Sequence, residues 1–293
     1  MTRHGKVSVS QDVPVQMRDG TTLYADLYIP EGAGPFPVLL MRTPYNKTQA
    51  QDSIYAHPQW YAGRGYIVVV QDVRGRWRSA GDWYPFAHEA EDGYDTVEWA
   101  ARLPKSNGRV GMYGLSYVGA TQLLAAAVAP PHLACIVPGT TASEYYEGWT
   151  YRGGALHLAF TESWAVSLAQ DTARRRELRD LESDLFASFG ADGLAFGALP
   201  IKQYALLRRG EIAPWFFDWL EHPARDEYWA SRAVDPSKIK VPTFIVGGWR
   251  DIFPEAVPAV YARLGGPRKL LMGPWMHTMP ETAVNEPLSF CRK

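Results

Sequence analysis

Ser116 lies in the stretch Gly114-Leu115-Ser116-Tyr117-Val118-Gly119, where a short apolar run passes into a helical run of small residues. A serine hydroxyl is a weak nucleophile until a base takes its proton. A tight strand–turn–helix elbow would hold it in a strained, presented conformation. The same elbow would set the backbone N–H groups of a helix N-terminus beside it. The pattern is G-x-S-x-x-G, with the second glycine one residue later than in the strict G-x-S-x-G form. Taken alone, these six residues also fit an ordinary glycine-rich turn. Two later residues favour chemistry. Asp251 directly follows the apolar run "TFIVGGWR", and His277 directly follows "KLLMGPWM". Both are read as strand ends, and the order nucleophile, acid, base suits a triad assembled at one sheet edge. Asp226 and Asp235 are rival acids but precede the strand. His4 lies in the tail, His88 before a helix, and His157 and His222 in an aromatic middle segment.

A possible oxyanion donor comes from the loop after "FPVLLMR". That loop reads Thr43-Pro44-Tyr45, with a proline that stiffens the turn. The Tyr45 hydroxyl could face a developing oxyanion alongside the N–H of Tyr117. The alternative is a packed aromatic ring.

The elements that must position these residues follow from the apolar pattern. "VPVQMRDGTTLYADLYIP" reads as two strands around Asp19-Gly20, a hairpin turn signal. "FPVLLMRTPY", "GYIVVVQDVRG", "GRVGMYG" and "HLACIVPG" read as buried strands. "EAEDGYDTVEWAARLP" is a helix with acids in its first turns and a proline stop. Strands alternating with helices predict a mostly parallel sheet covered on both faces. From residue 144 to 240 the style changes to aromatic and charged, and no strand is evident. "TARRRELRDLESDLFASF" has helical spacing there. That segment is expected to be an inserted helical cap, with residues 1–143 and 241–293 forming the core. "VPTFIVGGWRDIF" and "PRKLLMGPWMHTMP" return to the strand pattern.

Composition excludes several classes. Thirty basic against 31 acidic residues give a net charge of −1, which points to neither nucleic acid nor an anionic membrane surface as partner. Two cysteines, Cys135 and Cys291, are too few for a disulfide framework or a metal set. The phosphate-loop pattern is absent. No apolar run is long enough to span a bilayer and the start lacks a signal-like stretch, so a cytoplasmic location is expected. Arg74, Arg76 and Arg78 in "RGRWRSAGDW" are read as ion-pairing residues that stiffen a loop near the site.

Taken together, "RTPYNK", "QDVRGRWRSAGDWYPF", "EDGYDTVEWAARLP", "GMYGLSYVGATQ", "YRGGAL", "GGWRDIF" and "GPWMH" resemble the cocaine esterase/X-Pro dipeptidyl peptidase group (CocE/NonD type) of α/β-hydrolases. The α-amino-acid ester hydrolases and glutaryl acylases belong to the same group. The resemblance implies an α/β-hydrolase fold with Ser116 as nucleophile and Asp251 and His277 as its partners. It implies Tyr45 and Tyr117 as the oxyanion hole, a helical cap, and Trp149 and Trp164 as aromatics of the acyl pocket. Members of that group continue past the histidine into a C-terminal β-sandwich, which is not expected here. Its absence would expose apolar surface and favour a homo-oligomer.

The expected reaction is cleavage of a small-molecule ester or activated amide with a bulky or aromatic acyl group, using no metal or cofactor. An X-Pro dipeptidyl aminopeptidase is the alternative within the class, with Glu144 and Glu147 as candidate acceptors of a substrate amine. An inactive hydrolase scaffold or fragment is the alternative outside it.

Overall fold

The structure, a computed structural model, describes residues 6–51, 56–188 and 199–277. It divides into two compact units, Met1–Ser143 with Val234–Lys293, and Glu144–Ala233. The first unit is built on an eight-stranded sheet. Strands β1 (Val7–Gln16) and β2 (Thr22–Pro30) form the antiparallel hairpin around Asp19-Gly20, with Gln16 facing Thr22. Next come β3 (Phe36–Thr43), α1 (Pro58–Ala62), β4 (Ile67–Asp72), α2 (Glu89–Ala101), β5 (Ser106–Leu115), α3 (Tyr117–Ala127) and β6 (Leu133–Gly139).

The second unit holds a short strand pair, β7 (Tyr151–Arg152) and β8 (Ala155–Leu156), then α4 (Leu158–Arg175), α5 (Arg179–Ala187), α6 (Ala205–Arg208), α7 (Pro214–Glu221) and α8 (Glu227–Ala230). The chain re-enters the first unit through β9 (Thr243–Gly248), α9 (Ala256–Arg263) and β10 (Arg268–Gly273).

The sheet order is β1-β2-β4-β3-β5-β6-β9-β10. β2 pairs antiparallel with β1 and β4, and every other pairing is parallel. This is the α/β-hydrolase fold. β4 shows the burial of a central strand. Its run Ile67-Val68-Val69-Val70 is wholly buried, as a strand covered on both faces must be. In α2, Glu89, Glu91 and Asp92 occupy the first turn, where acids complement the helix dipole. The parallel order brings the carboxyl ends of β3, β5, β9 and β10 to one edge, where this architecture presents ligand-binding residues.

Re-entry lies at Val234, earlier than the expected residue 241, and Val234 N–H donates to Ser143 O. The strand pair β7–β8 was not evident in the sequence. The helical spacing over 172–189 is divided between α4 and α5. Glu177 takes φ +58° at the break, and Arg176 donates to the carbonyls of Gly210 and Glu211. Phe189, the last residue of that run, lies outside the described residues. Among the described residues, no helix is long and apolar enough to cross a membrane.

The second unit has an aromatic core. Trp149, Trp215, Trp219 and Trp229 are fully buried, and the Trp164 ring stacks on Trp219 at a centroid distance of 5.9 Å. Tyr151 donates its hydroxyl to Trp219 O, and Trp229 donates Nε1–H to His222 O. Glu162 on α4 is buried in the same unit, and neither carboxylate oxygen has a hydrogen-bond partner among the described residues.

Burial pushes the Glu162 carboxyl up from 4.5 to about 7. The folded chain therefore holds an extra proton relative to the unfolded chain between those values, so this group costs stability progressively as pH rises through them. Glu162→Gln is expected to match the wild type at pH 4.5 and to exceed it by about 1–3 kcal/mol at pH 8. Urea unfolding at the two pH values measures the difference.

Candidate active site

β5 ends at Leu115, and the next residue, Ser116, takes φ +61° and ψ −129°. A non-glycine residue held there stores about 1–3 kcal/mol of strain. Three backbone hydrogen bonds fix it. Ser116 N–H donates to Gly139 O at the end of β6, while Gly119 and Ala120 N–H donate to Ser116 O. Gly119 is the close-packing residue of the turn. A Cβ added there would lie 2.8 Å from Thr141 Cβ and 2.9 Å from Gly139 O. The glycine displaced by one position from the strict motif therefore matches the contact between α3 and the end of β6. The Ser116 hydroxyl is not spent on capping α3. Helix α3 begins at Tyr117, so the elbow sets the backbone N–H of Tyr117 directly after the serine.

Tyr117 has two parts with different surroundings. Its side chain is fully buried, and its hydroxyl accepts Phe86 N–H and donates to Glu89 Oε1, each at 2.9 Å. The other oxygen of Glu89 accepts Arg42 Nη1–H at 2.8 Å, and Arg42 also bonds Gln71. Burial pushes the Glu89 carboxyl pKa up, while Arg42 pulls it back toward the charged form. In the sequence Glu89 has no signal beyond that of a first-turn helix acid.

Asp251 and His277 stand on two loops joined by backbone hydrogen bonds. Trp249 N–H donates to Gly273 O at 2.8 Å, and Arg250 N–H donates to Trp275 O at 3.1 Å. The loops approach so closely that a Cβ on Gly248 would lie 2.2 Å from Trp275 O. His277 Nδ1 lies 2.6 Å from Asp251 Oδ1, and His277 Nε2 lies 2.9 Å from Ser116 Oγ. Ile252 N–H also donates to Asp251 Oδ1 at 2.7 Å. A carboxylate only accepts, so a neutral His277 carries its proton on Nδ1 and offers Nε2 to the serine hydroxyl. Asp251 has no exposed side chain, whereas His277 is 30% exposed. Phe253 packs edge-on against the imidazole at 5.4 Å.

Tyr45 follows β3 at the same sheet edge. Its ring packs on a core cluster that includes Leu115 and Val118, the residues on either side of the elbow. Its N–H is held by Thr43 Oγ1, and Pro44 has no N–H to offer. Trp149 and Trp164 lie in the aromatic core of the second unit, with their rings 6.1 Å apart.

The rival residues have local duties. Asp235 caps the turn at Ser237 and pairs with Arg263, and Asp226 caps α8 and binds His222. Glu144 pairs with Arg225, and Glu147 accepts Gly153 N–H. Arg74 bridges Asp19 and Asp92, and Arg78 pairs with Asp12. Among the described residues, no cluster of histidine, cysteine and acidic residues could hold a metal ion.

The sequence profile of the X-Pro dipeptidyl-peptidase (S15) family matches residues 19–279. The chain belongs to this family. It is 32% identical over 288 residues to a cocaine esterase from Rhodococcus sp. (strain MB1 Bresler), covering 94% of this chain and 50% of that one. It thus spans half the length of that relative. The fold matches a CocE/NonD family hydrolase from Staphylococcus aureus with a TM-score of 0.74 and 24% identity, covering 97% of this chain and 50% of the other. It also matches an α-amino acid ester hydrolase with a TM-score of 0.69 and 24% identity, covering 95% of this chain and 49% of the other.

Gly248→Ala tests the joined loops. The added methyl must move the Trp275 carbonyl, and with it His277. The expected result is loss or a large shift of the far-downfield His277 Nδ1–H proton resonance, seen by NMR in a chain that stays folded.

Proposed function

We propose that the chain is a serine hydrolase that cleaves an ester or activated amide through an acyl-enzyme. The observation that carries this reading is the continuous line Ser116 Oγ, His277, Asp251, with spacings of 2.9 Å and 2.6 Å, at the carboxyl ends of three strands. Ser116 Oγ attacks the substrate carbonyl carbon while its proton passes to His277 Nε2. Asp251 holds the imidazole in the right tautomer and stabilises its charged form. The carbonyl oxygen becomes an oxyanion, held by Tyr117 N–H and the Tyr45 hydroxyl. The phenol takes this part because its loop has no backbone N–H free at 44 or 45. His277 then gives its proton to the leaving group as the tetrahedral species collapses to the acyl-enzyme. Water repeats the sequence and releases the acid.

The names of the related cocaine esterase and α-amino acid ester hydrolase support an ester as substrate. The family description supports peptide cleavage as the second reading. That reading requires an acid for the free amine. Glu144 is paired with Arg225, so the ester reading stands first. The tryptophan-rich segment 144–240 suggests a bulky or aromatic acyl group.

Hydrolysis of p-nitrophenyl acetate and butyrate tests the assignment. Ser116→Ala is expected to lower kcat by about 10³-fold or more in a folded chain. Equal trace rates for wild type and variant would contradict it.

A further inference from the structure

The Pro44–Tyr45 peptide is held at both of its polar groups. Its N–H donates to Thr43 Oγ1 at 3.1 Å. Its carbonyl oxygen receives two donors, Arg76 Nε–H and Trp77 Nε1–H, each at 3.1 Å. A carbonyl oxygen has two lone pairs, and both are used. Proline fixes φ at residue 44, and the three bonds fix the peptide plane that follows it. On either side, Val73 N–H donates to Thr43 O and Lys47 N–H donates to Asp72 Oδ1.

The two donors are themselves braced. Arg76 is 1% exposed, and its guanidinium lies 5.0 Å from the Trp83 ring centroid. Arg76 N–H donates to Val73 O, Ser79 N–H donates to Arg76 O, and the Ser79 hydroxyl donates to Asp72 O. Trp77 takes φ +48°, a conformation non-glycine residues seldom hold.

Resting on the reading of Tyr45 as an oxyanion donor, we infer that Arg76 and Trp77 are positioning residues that aim the Tyr45 hydroxyl by clamping the Pro44–Tyr45 peptide. The hydroxyl lies at the far end of the ring, so a rotation of about 10° at the backbone moves it by about 1 Å. A misplacement of that size can cost about a hundred-fold in rate. Arginine suits the task because its planar fork fixes the direction of Nε–H, which a lysine ammonium cannot.

The test is the rate at which a fluorophosphonate modifies Ser116, since the phosphoryl oxygen occupies the oxyanion site. Wild type, Tyr45→Phe, Trp77→Phe, Arg76→Lys and both doubles with Tyr45→Phe are compared. Trp77→Phe keeps an aromatic side chain, removes the Nε1–H donor and trims the five-membered ring that carries it. It is expected to slow labelling by about three- to ten-fold, and Arg76→Lys by at least as much. In the Tyr45→Phe background neither should cause further loss, because the hydroxyl they aim is gone. A merely structural role would give the same loss in both backgrounds, and that result overturns the inference, as does labelling of both single variants at the wild-type rate. If Arg76→Lys does not fold, the Trp77→Phe cycle decides alone. Labelling of Tyr45→Phe at the wild-type rate would remove Tyr45 from the oxyanion hole and the inference with it, leaving the Ser116, His277 and Asp251 reading intact. Absence of labelling in the wild type would contradict that reading as well.

Discussion

Ser116 can hold a left-handed backbone only because α3 packs directly against the end of β6. The contact requires a residue without a side chain at 119, where Thr141 and the Gly139 carbonyl leave no space for one. It also requires the hydrogen bond from Ser116 N–H to Gly139 O. Together they offset strain of about 1–3 kcal/mol at a single residue. The gain is geometric. The hydroxyl is turned away from capping duty, and the backbone N–H of Tyr117 follows directly after the serine. Every other feature of the site is a matter of bringing partners to that point.

The partners arrive on separate loops, each held by contacts other than those among Ser116, His277 and Asp251. The acid and histidine loops are joined by two backbone hydrogen bonds, so Asp251 and His277 approach each other before any side-chain contact is counted. Tyr117 is held from below by Glu89, which is in turn held by Arg42. The Tyr117 hydroxyl is thereby tied to a buried pair of Glu89 with Arg42. Preorganisation of this kind is what electrostatic stabilisation of an oxyanion needs, since the donors then need not reorganise during the reaction.

The sheet and the three candidate reactive residues were legible in the sequence. Ser116, Asp251 and His277 each follow an apolar run closely, and parallel strands bring all their carboxyl ends to one edge. The strand pattern, the order nucleophile, acid, base, and the family resemblance therefore pointed to the same three residues. What could not be read depends on contacts between distant segments. The division of the helical spacing at Glu177 accompanies bonds from Arg176 to the Gly210 and Glu211 carbonyls. The re-entry at Val234 is tied to Ser143, far away in the chain. Arg76, with Arg74 and Arg78, signalled a stiff loop, but nothing in "RGRW" names the Pro44 carbonyl as an acceptor shared by Arg76 and Trp77. Gly119 was visible as a departure from the strict motif, and its cause appears only when Thr141 is placed against it.

The most direct measurement of the central claim is mass spectrometry of the chain acid-quenched during the first turnovers of p-nitrophenyl butyrate. One butyryl group per chain, mapped to Ser116, is expected in the wild type and none in His277→Ala. A folded wild-type chain that carries no acyl group while releasing nitrophenol, or carries it on another residue, would contradict the account.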